Sequence, residues 1–332
     1  MQHQRDRRHE DIAARPSARV RALAVLALLS LTIAPSLAQD TTAQQKQAAP
    51  EAATGTTTKA GASGKRHMVT SANPLASEAG LQILRDGGSA VDAAIAMQMV
   101  LNLVEPQSSG IGGGAFLLHF DRAKREVDSY DGRETAPAAA RPDRFLAPDG
   151  KPIDFDEAVS SGLSPGVPGL LRVLELAHER HGRLAWARLF EPAIRLAENG
   201  FPVPSRLNLL LHWQGAKSFE QEARDYFFDA KGWPRATGSI LRNPRLAGVF
   251  HAIAAGGADA FYRGALAAKI AEKVRGAKPP GDMTAADIAG YQAKEREPLC
   301  TEYRGKRICG MGPPSSGGPT VAMVLELIEP LD

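Results

Sequence analysis

Hydrophobic and polar positions alternate with changing period along this chain and divide residues 67–329 into a series of elements. His67-Met68-Val69 reads as a short strand. Asn73-Pro74 combines a capping side chain with a proline suited to a first helical turn, and opens a helix that runs to about Asp86 and stops at Gly87-Gly88. Ser89 and Asp92 then stand at capping-box spacing ahead of a second helix. Ala93, Ala94, Ile95, Met97, Met99, Val100 and Leu101 make that helix apolar almost all round, which predicts burial and assigns the two methionines to core packing.

Phe116, Leu118 and Phe120 alternate with Ala115, Leu117 and His119, the period of a strand with at least one buried face. The chain turns through Asp121 to Arg125 and returns to deliver Arg133 just beyond a strand end. Ahead of this strand, Gly110, Gly112, Gly113 and Gly114 predict positive φ or very close packing. Gly110, Gly112 and Ala115 also fit a dinucleotide fingerprint, but that motif must follow a strand and open a helix. Here a helix precedes and a strand follows, so no nucleotide site is expected.

Further on, Ala136 to Gly150 reads as a loop, Pro168 opens a helix to about His181, and a pattern beginning near Leu184 restarts at Pro192 and ends at Asn199-Gly200. Trp213 to Arg235 has little periodicity, although Phe219, Tyr226, Phe227 and Trp233 suggest a packed surface layer. Helices are expected over Arg245 to Ala255, Ala265 to Arg275 and Thr320 to Glu329. If Arg304-Gly305 is a two-residue hairpin turn, Tyr303 faces Lys306 and Cys300 faces Cys309.

Composition changes this picture at the N-terminus. An Arg-rich segment to Arg21, an apolar run from Ala22 to Ala34 and small residues at Ser36 and Ala38 read as a secretory signal peptide over residues 1–38. The run is too short to span a membrane, which takes about 20 residues. Gln39 to Lys65 is polar and without aromatics, so residues 39–66 read as a disordered linker. The chain's net charge of +3 resides in that leader, so the mature chain is formally neutral and nothing argues for nucleic acid. Export also bears on Cys300 and Cys309: a cross-strand disulfide is favoured over two unpaired thiols, and two cysteines alone make no zinc site.

Three groups of residues carry candidate chemistry. An arginine fixed at a strand end, as Arg133 is, can hold a carboxylate through two parallel hydrogen bonds; taken alone, an ordinary surface ion pair is the plainer reading. Ser315 and Ser316 precede a helix and suit capping better than anion binding. His178 and His181 stand three apart on a helix face, as metal ligands can, but no carboxylate or further histidine in the sequence pattern joins them, so no metal site is expected.

Taken in order, Pro74-Leu75-Ala76-Ser77, Gly87-Gly88-Ser89-Ala90-Val91-Asp92-Ala93-Ala94, Gly110 to Gly114, Asp131-Gly132-Arg133-Glu134-Thr135-Ala136-Pro137, Ser164-Pro165-Gly166-Val167-Pro168-Gly169 and Pro313-Pro314-Ser315-Ser316-Gly317-Gly318 resemble the large subunit of gamma-glutamyltranspeptidases. The resemblance covers about His67 to Glu329, and residues 67–332 read as a partial large subunit. It implies an α+β fold of N-terminal-nucleophile hydrolase type, an αββα sandwich incomplete without the small subunit. It also implies a periplasmic or secreted, self-cleaving enzyme that transfers or hydrolyses the gamma-glutamyl group of glutathione or another gamma-glutamyl donor, without a cofactor. Arg133 matches the family arginine that binds the donor's α-carboxylate. The family nucleophile is a threonine at the start of the small subunit. No threonine here stands in its autocleavage motif, so this chain is expected to be inactive alone and to need a small subunit as partner. Related gamma-glutamyl or cephalosporin-type acylases, and a non-catalytic exported binding protein, are the alternatives.

Overall fold

The computed structural model describes residues 61–331. The expected signal peptide lies outside the described residues, as does the expected linker up to residue 60; residues 61–66 are exposed and without regular secondary structure. His67 to Val69 forms no strand, because no strand among the described residues supplies the ladder hydrogen bonds it needs.

Local signals set the first two helices. The Asn73 side chain accepts from the Leu75 amide at the start of α1 (Pro74–Arg85), and Ser89 and Asp92 complete a reciprocal capping box at α2 (Ala90–Val104). Ile95, Ala96, Met99, Val100 and Val104 of α2 are fully buried. Next comes an antiparallel hairpin, β1 (Ala115–Asp121) and β2 (Glu126–Gly132), with Ala115 opposite Gly132 and Asp121 opposite Glu126. A short helix α3 (Phe155–Ser160) precedes α4 (Leu170–His181), which packs on both hairpin strands. The pattern from Leu184 resolves into a 3-10 turn, Trp186–Phe190, and α5 (Glu191–Asn199).

The middle of the chain is mainly helical. β3 (Phe201–Pro202) leads to α6 (Ser205–Gln214) and α7 (Gln221–Phe227), and β4 (Ile240–Leu241) pairs back onto β3. Phe219, Tyr226 and Phe227 pack against the core from this segment, whereas Trp233 stays exposed. Then come α8 (Pro244–Gly256), α9 (Asp259–Tyr262), α10 (Ala265–Arg275) and α11 (Ala285–Ala289). Phe190, Phe201, Phe250 and Tyr262 are among the largest fully buried side chains.

The chain then returns to the first sheet. β5 (Lys294–Arg296) pairs antiparallel with β2, placing Ser129 opposite Arg296 and Asp131 opposite Lys294. β6 (Leu299–Tyr303) and β7 (Lys306–Gly310) form a second hairpin, turning at Arg304-Gly305 with positive φ at both residues, as a two-residue turn of this hand requires. Cys300 sits opposite Cys309 and the two are joined by a disulfide. The last helix, α12 (Gly317–Ile328), has no buried residue, and Val321, Met323, Val324 and Leu327 are all exposed.

Candidate functional site

Arg133 directly follows the last residue of β2, and its backbone is held from three directions. Its amide donates to Asp131 Oδ1 at 2.9 Å, and its carbonyl accepts the Tyr291 hydroxyl at 2.6 Å. Two residues on, Thr135 and Val167 exchange backbone hydrogen bonds of 3.3 and 2.8 Å. Asp131 is buried, and its second oxygen accepts Arg296 Nε at 2.6 Å, which compensates its charge. Burial, and then the negative charges of Asp131 and Glu134, push the Tyr291 hydroxyl up to about 12, so it is a neutral donor at physiological pH.

Small residues make this convergence possible. A Cβ on Gly169 would fall 2.2 Å from the Gly132 carbonyl oxygen and 2.3 Å from the Tyr291 hydroxyl. One on Gly114 would meet Gly132 O at 2.6 Å and Glu134 Oε2 at 2.7 Å. None of the four loop glycines has a positive φ, and Gly110 and Gly112 face open space, so close packing explains Gly114 and not the whole run. The Gly113 carbonyl accepts both the Gly169 and Leu170 amides at 3.0 Å, tying the loop to the start of α4.

From this fixed backbone the Arg133 side chain extends outward, 62% exposed. Its Nε lies 3.4 Å from Glu134 Oε2, a buried oxygen with no hydrogen bond. Such an arrangement suits reversible binding of a carboxylate: the backbone is rigid and the donor fork is accessible.

Of the two serines ahead of α12, Ser315 makes a capping contact and Ser316 does not. Ser315 Oγ accepts the Gly317 amide at 3.2 Å, while Ser316, at the cap position, makes no side-chain cap bond.

His178 and His181 do not act together. His178 Nε2 lies 2.9 Å from the Leu184 carbonyl and 3.5 Å from the buried Asp92. His181 instead meets a carboxylate and a second imidazole, contrary to the expectation that none would join it. Asp128 Oδ2 is 3.4 Å from His181 Nε2 and 3.3 Å from His119 Nδ1, and the two imidazoles stack with centroids 3.7 Å apart. The Tyr130 hydroxyl lies 2.6 Å from His181 Nε2. Burial, followed by the neighbouring His119, lowers the His181 pKa below the ordinary histidine value.

Sequence reasoning missed Asp131 and Tyr291 around Arg133, and His119 and Asp128 around His181. Asp131 carried a signal, since it stands two residues before Arg133, where an aspartate side chain can accept from the backbone amide two residues on. The hairpin turn carried another, since pairing Asp121 with Glu126 puts His119 opposite Asp128. Tyr291 and His181 arrive from distant segments with no local signal.

Comparison with known proteins places the chain as a whole. The gamma-glutamyltranspeptidase family matches residues 76–332. The chain is 40% identical over 266 residues to the glutathione hydrolase proenzyme of Bacillus subtilis (strain 168), a match covering 80% of this chain and 45% of that protein. It is 36% identical over 270 residues to the glutathione hydrolase proenzyme of Escherichia coli (strain K12), covering 81% and 46% respectively. It thus spans less than half the length of these two relatives. The crystal structure of Helicobacter pylori gamma-glutamyltranspeptidase superposes with a TM-score of 0.77 at 33% identity, covering 82% of this chain and 77% of that one. The α+β fold is therefore of the N-terminal-nucleophile hydrolase type, and the chain belongs to the gamma-glutamyltranspeptidase family.

Proposed function

We propose that this chain is the large-subunit part of an exported gamma-glutamyltransferase and glutathione hydrolase, and that Arg133 grips the α-carboxylate of the gamma-glutamyl donor. The observation that carries this reading is the combination, at one residue, of a backbone held by Asp131 and Tyr291 and a guanidinium facing solvent. A backbone held this firmly sets where the guanidinium can reach, and its planar fork matches a carboxylate.

The reaction is acyl transfer. A hydroxyl nucleophile attacks the γ-carbonyl carbon, the amine leaves with a proton, and water or an amino acid then takes the acyl group. The nucleophile is assigned to a threonine of the small subunit, with its own amine as the base, and no residue of this chain is given that role. Arg133 anchors the other end of the donor and so orients the γ-carbonyl. The exposed apolar face of α12, with Leu118 and Phe120 of β1, supports a partner of that kind covering the sheet.

The Cys300–Cys309 disulfide supports an oxidising compartment, periplasmic or extracellular, with residues 1–38 as leader and 39–66 as linker. Among the described residues no helix is long and apolar enough to cross a membrane.

The test is to express the chain in one reading frame with a small-subunit sequence and to follow p-nitroaniline release from gamma-glutamyl-p-nitroanilide. Release accompanied by two bands on a denaturing gel is the expected result, with none from the 332-residue chain alone. Turnover by the lone chain, or a joined protein that cleaves itself yet releases nothing, would overturn the reading.

A further inference from the structure

The geometry points to a divalent transition-metal site, of the zinc type, formed by His119, Asp128 and His181 at the hairpin end opposite Arg133. Two imidazoles and one carboxylate are the donor set that zinc takes in three-ligand sites, with a fourth position left for water. In a tetrahedral site with metal–ligand distances of about 2.0–2.1 Å, the ligand atoms lie about 3.3 Å from one another. Asp128 Oδ2 lies 3.3 Å from His119 Nδ1 and 3.4 Å from His181 Nε2, and one ligand atom from each residue falls within 4.8 Å of the other two.

The scaffold brings these atoms together before any ion arrives. His119 and Asp128 are opposed in the β1–β2 register, and His181 is the last residue of α4, which packs on the same two strands. A helix C-terminus favours a cation in its last turn. His119 and His181 are about four-fifths covered and Asp128 is more open, so an ion has both a sheltered seat and a path of entry. Lys124 and Arg180 add nearby positive charge, and Asp121 and Glu295 nearby negative charge.

Two rearrangements accompany binding. The imidazoles, now 21° from parallel, must fan apart so that both lone pairs reach one ion. His181 Nε2 must also release the Tyr130 hydroxyl. Metal binding and that hydrogen bond therefore compete, which gives the site a signature that scattered surface histidines lack: Tyr130→Phe should tighten metal binding. The bond's net worth corresponds to roughly two- to tenfold in affinity.

The experiment uses the whole chain, expressed without a polyhistidine tag, stripped with a chelator and titrated with Co²⁺ while its visible d–d absorption is followed, then with Zn²⁺ in competition. One equivalent bound in the micromolar range or tighter is expected. His119→Ala and Asp128→Asn should each weaken binding about tenfold or more, Tyr130→Phe should strengthen it, and His212→Ala should leave it unchanged. Because the Asp128 side chain is 43% exposed, Asp128→Asn tests the site even if His119→Ala fails to fold. No saturable binding at millimolar Co²⁺, or binding indifferent to both His119→Ala and Asp128→Asn, would overturn the proposal.

Discussion

The Tyr291 hydroxyl donates a 2.6 Å hydrogen bond to the carbonyl of Arg133, joining two residues 158 positions apart. Tyr291→Phe removes that donor and should cost about 0.5–1.5 kcal/mol, read as a lower urea midpoint with an unchanged slope. In the assembled enzyme the donor KM should rise by less than tenfold. The stabilisation is full below the ordinary tyrosine value near 10 and is lost as pH rises toward about 12, because the folded protein holds this proton longer than the unfolded chain does. A variant with wild-type midpoint and wild-type KM would show that this bond contributes nothing.

Arg133 itself is the sharper test of the donor site. A hydrogen-bonded charged pair is worth about 1.5–3 kcal/mol, so Arg133→Ala should weaken donor binding roughly ten- to a hundredfold. Arg133→Lys should lose most of the same affinity, since an ammonium cannot present two parallel donors. Stability should barely change, because the side chain is 62% exposed. Steady-state kinetics with an unaltered donor constant in either variant would sink the assignment.

Gly169 tests the packing beneath the site. Gly169→Ala would set a methyl group 2.2 Å from the Gly132 carbonyl oxygen, and the backbone on both sides must shift to make room. A loss of about 3 kcal/mol or more, or failure to accumulate as folded protein, is expected. Gly112→Ala, which meets only open space, should stay within about 0.5 kcal/mol of the parent. Comparable denaturation midpoints for the two variants would contradict the close approach.

His181 should give the metal-free protein a pH dependence of its own. Its folded pKa lies below the ordinary value, chiefly through burial and then through His119. The unfolded chain therefore takes up its proton first as pH falls, so stability is full above about 6.5 and declines below it. His181→Gln should flatten that part of the profile, measured as urea stability between neutral pH and pH 5. Parallel profiles for the two proteins would rule the contribution out.

Much of the fold was legible because its signals are local. Asn73-Pro74, the Ser89–Asp92 capping box and the Arg304-Gly305 turn each act within a few residues, and the structure uses all three. α3, α6 and α7 are short helices in weakly periodic stretches and were not anticipated. His67 to Val69 has strand-like composition, but strand formation depends on a neighbour that composition cannot supply. At the proposed donor site Arg133 was legible as a candidate from its place beyond a strand end. The fixing of its backbone was not, because Asp131 is neutralised by Arg296 from β5 and Tyr291 comes from beyond α11.

One helix links the two ends of the hairpin. α4 begins where the Gly113 carbonyl takes the Gly169 and Leu170 amides, and ends at His181 against His119 and Asp128. Its twelve residues therefore act as a gauge, about 18 Å in length and with a fixed angular phase between its ends. Inserting or deleting one residue inside it would turn one end against the other by about 100° and break whichever contact lay downstream. Between Leu170 and His181 this chain must therefore keep count if both ends are to stay seated.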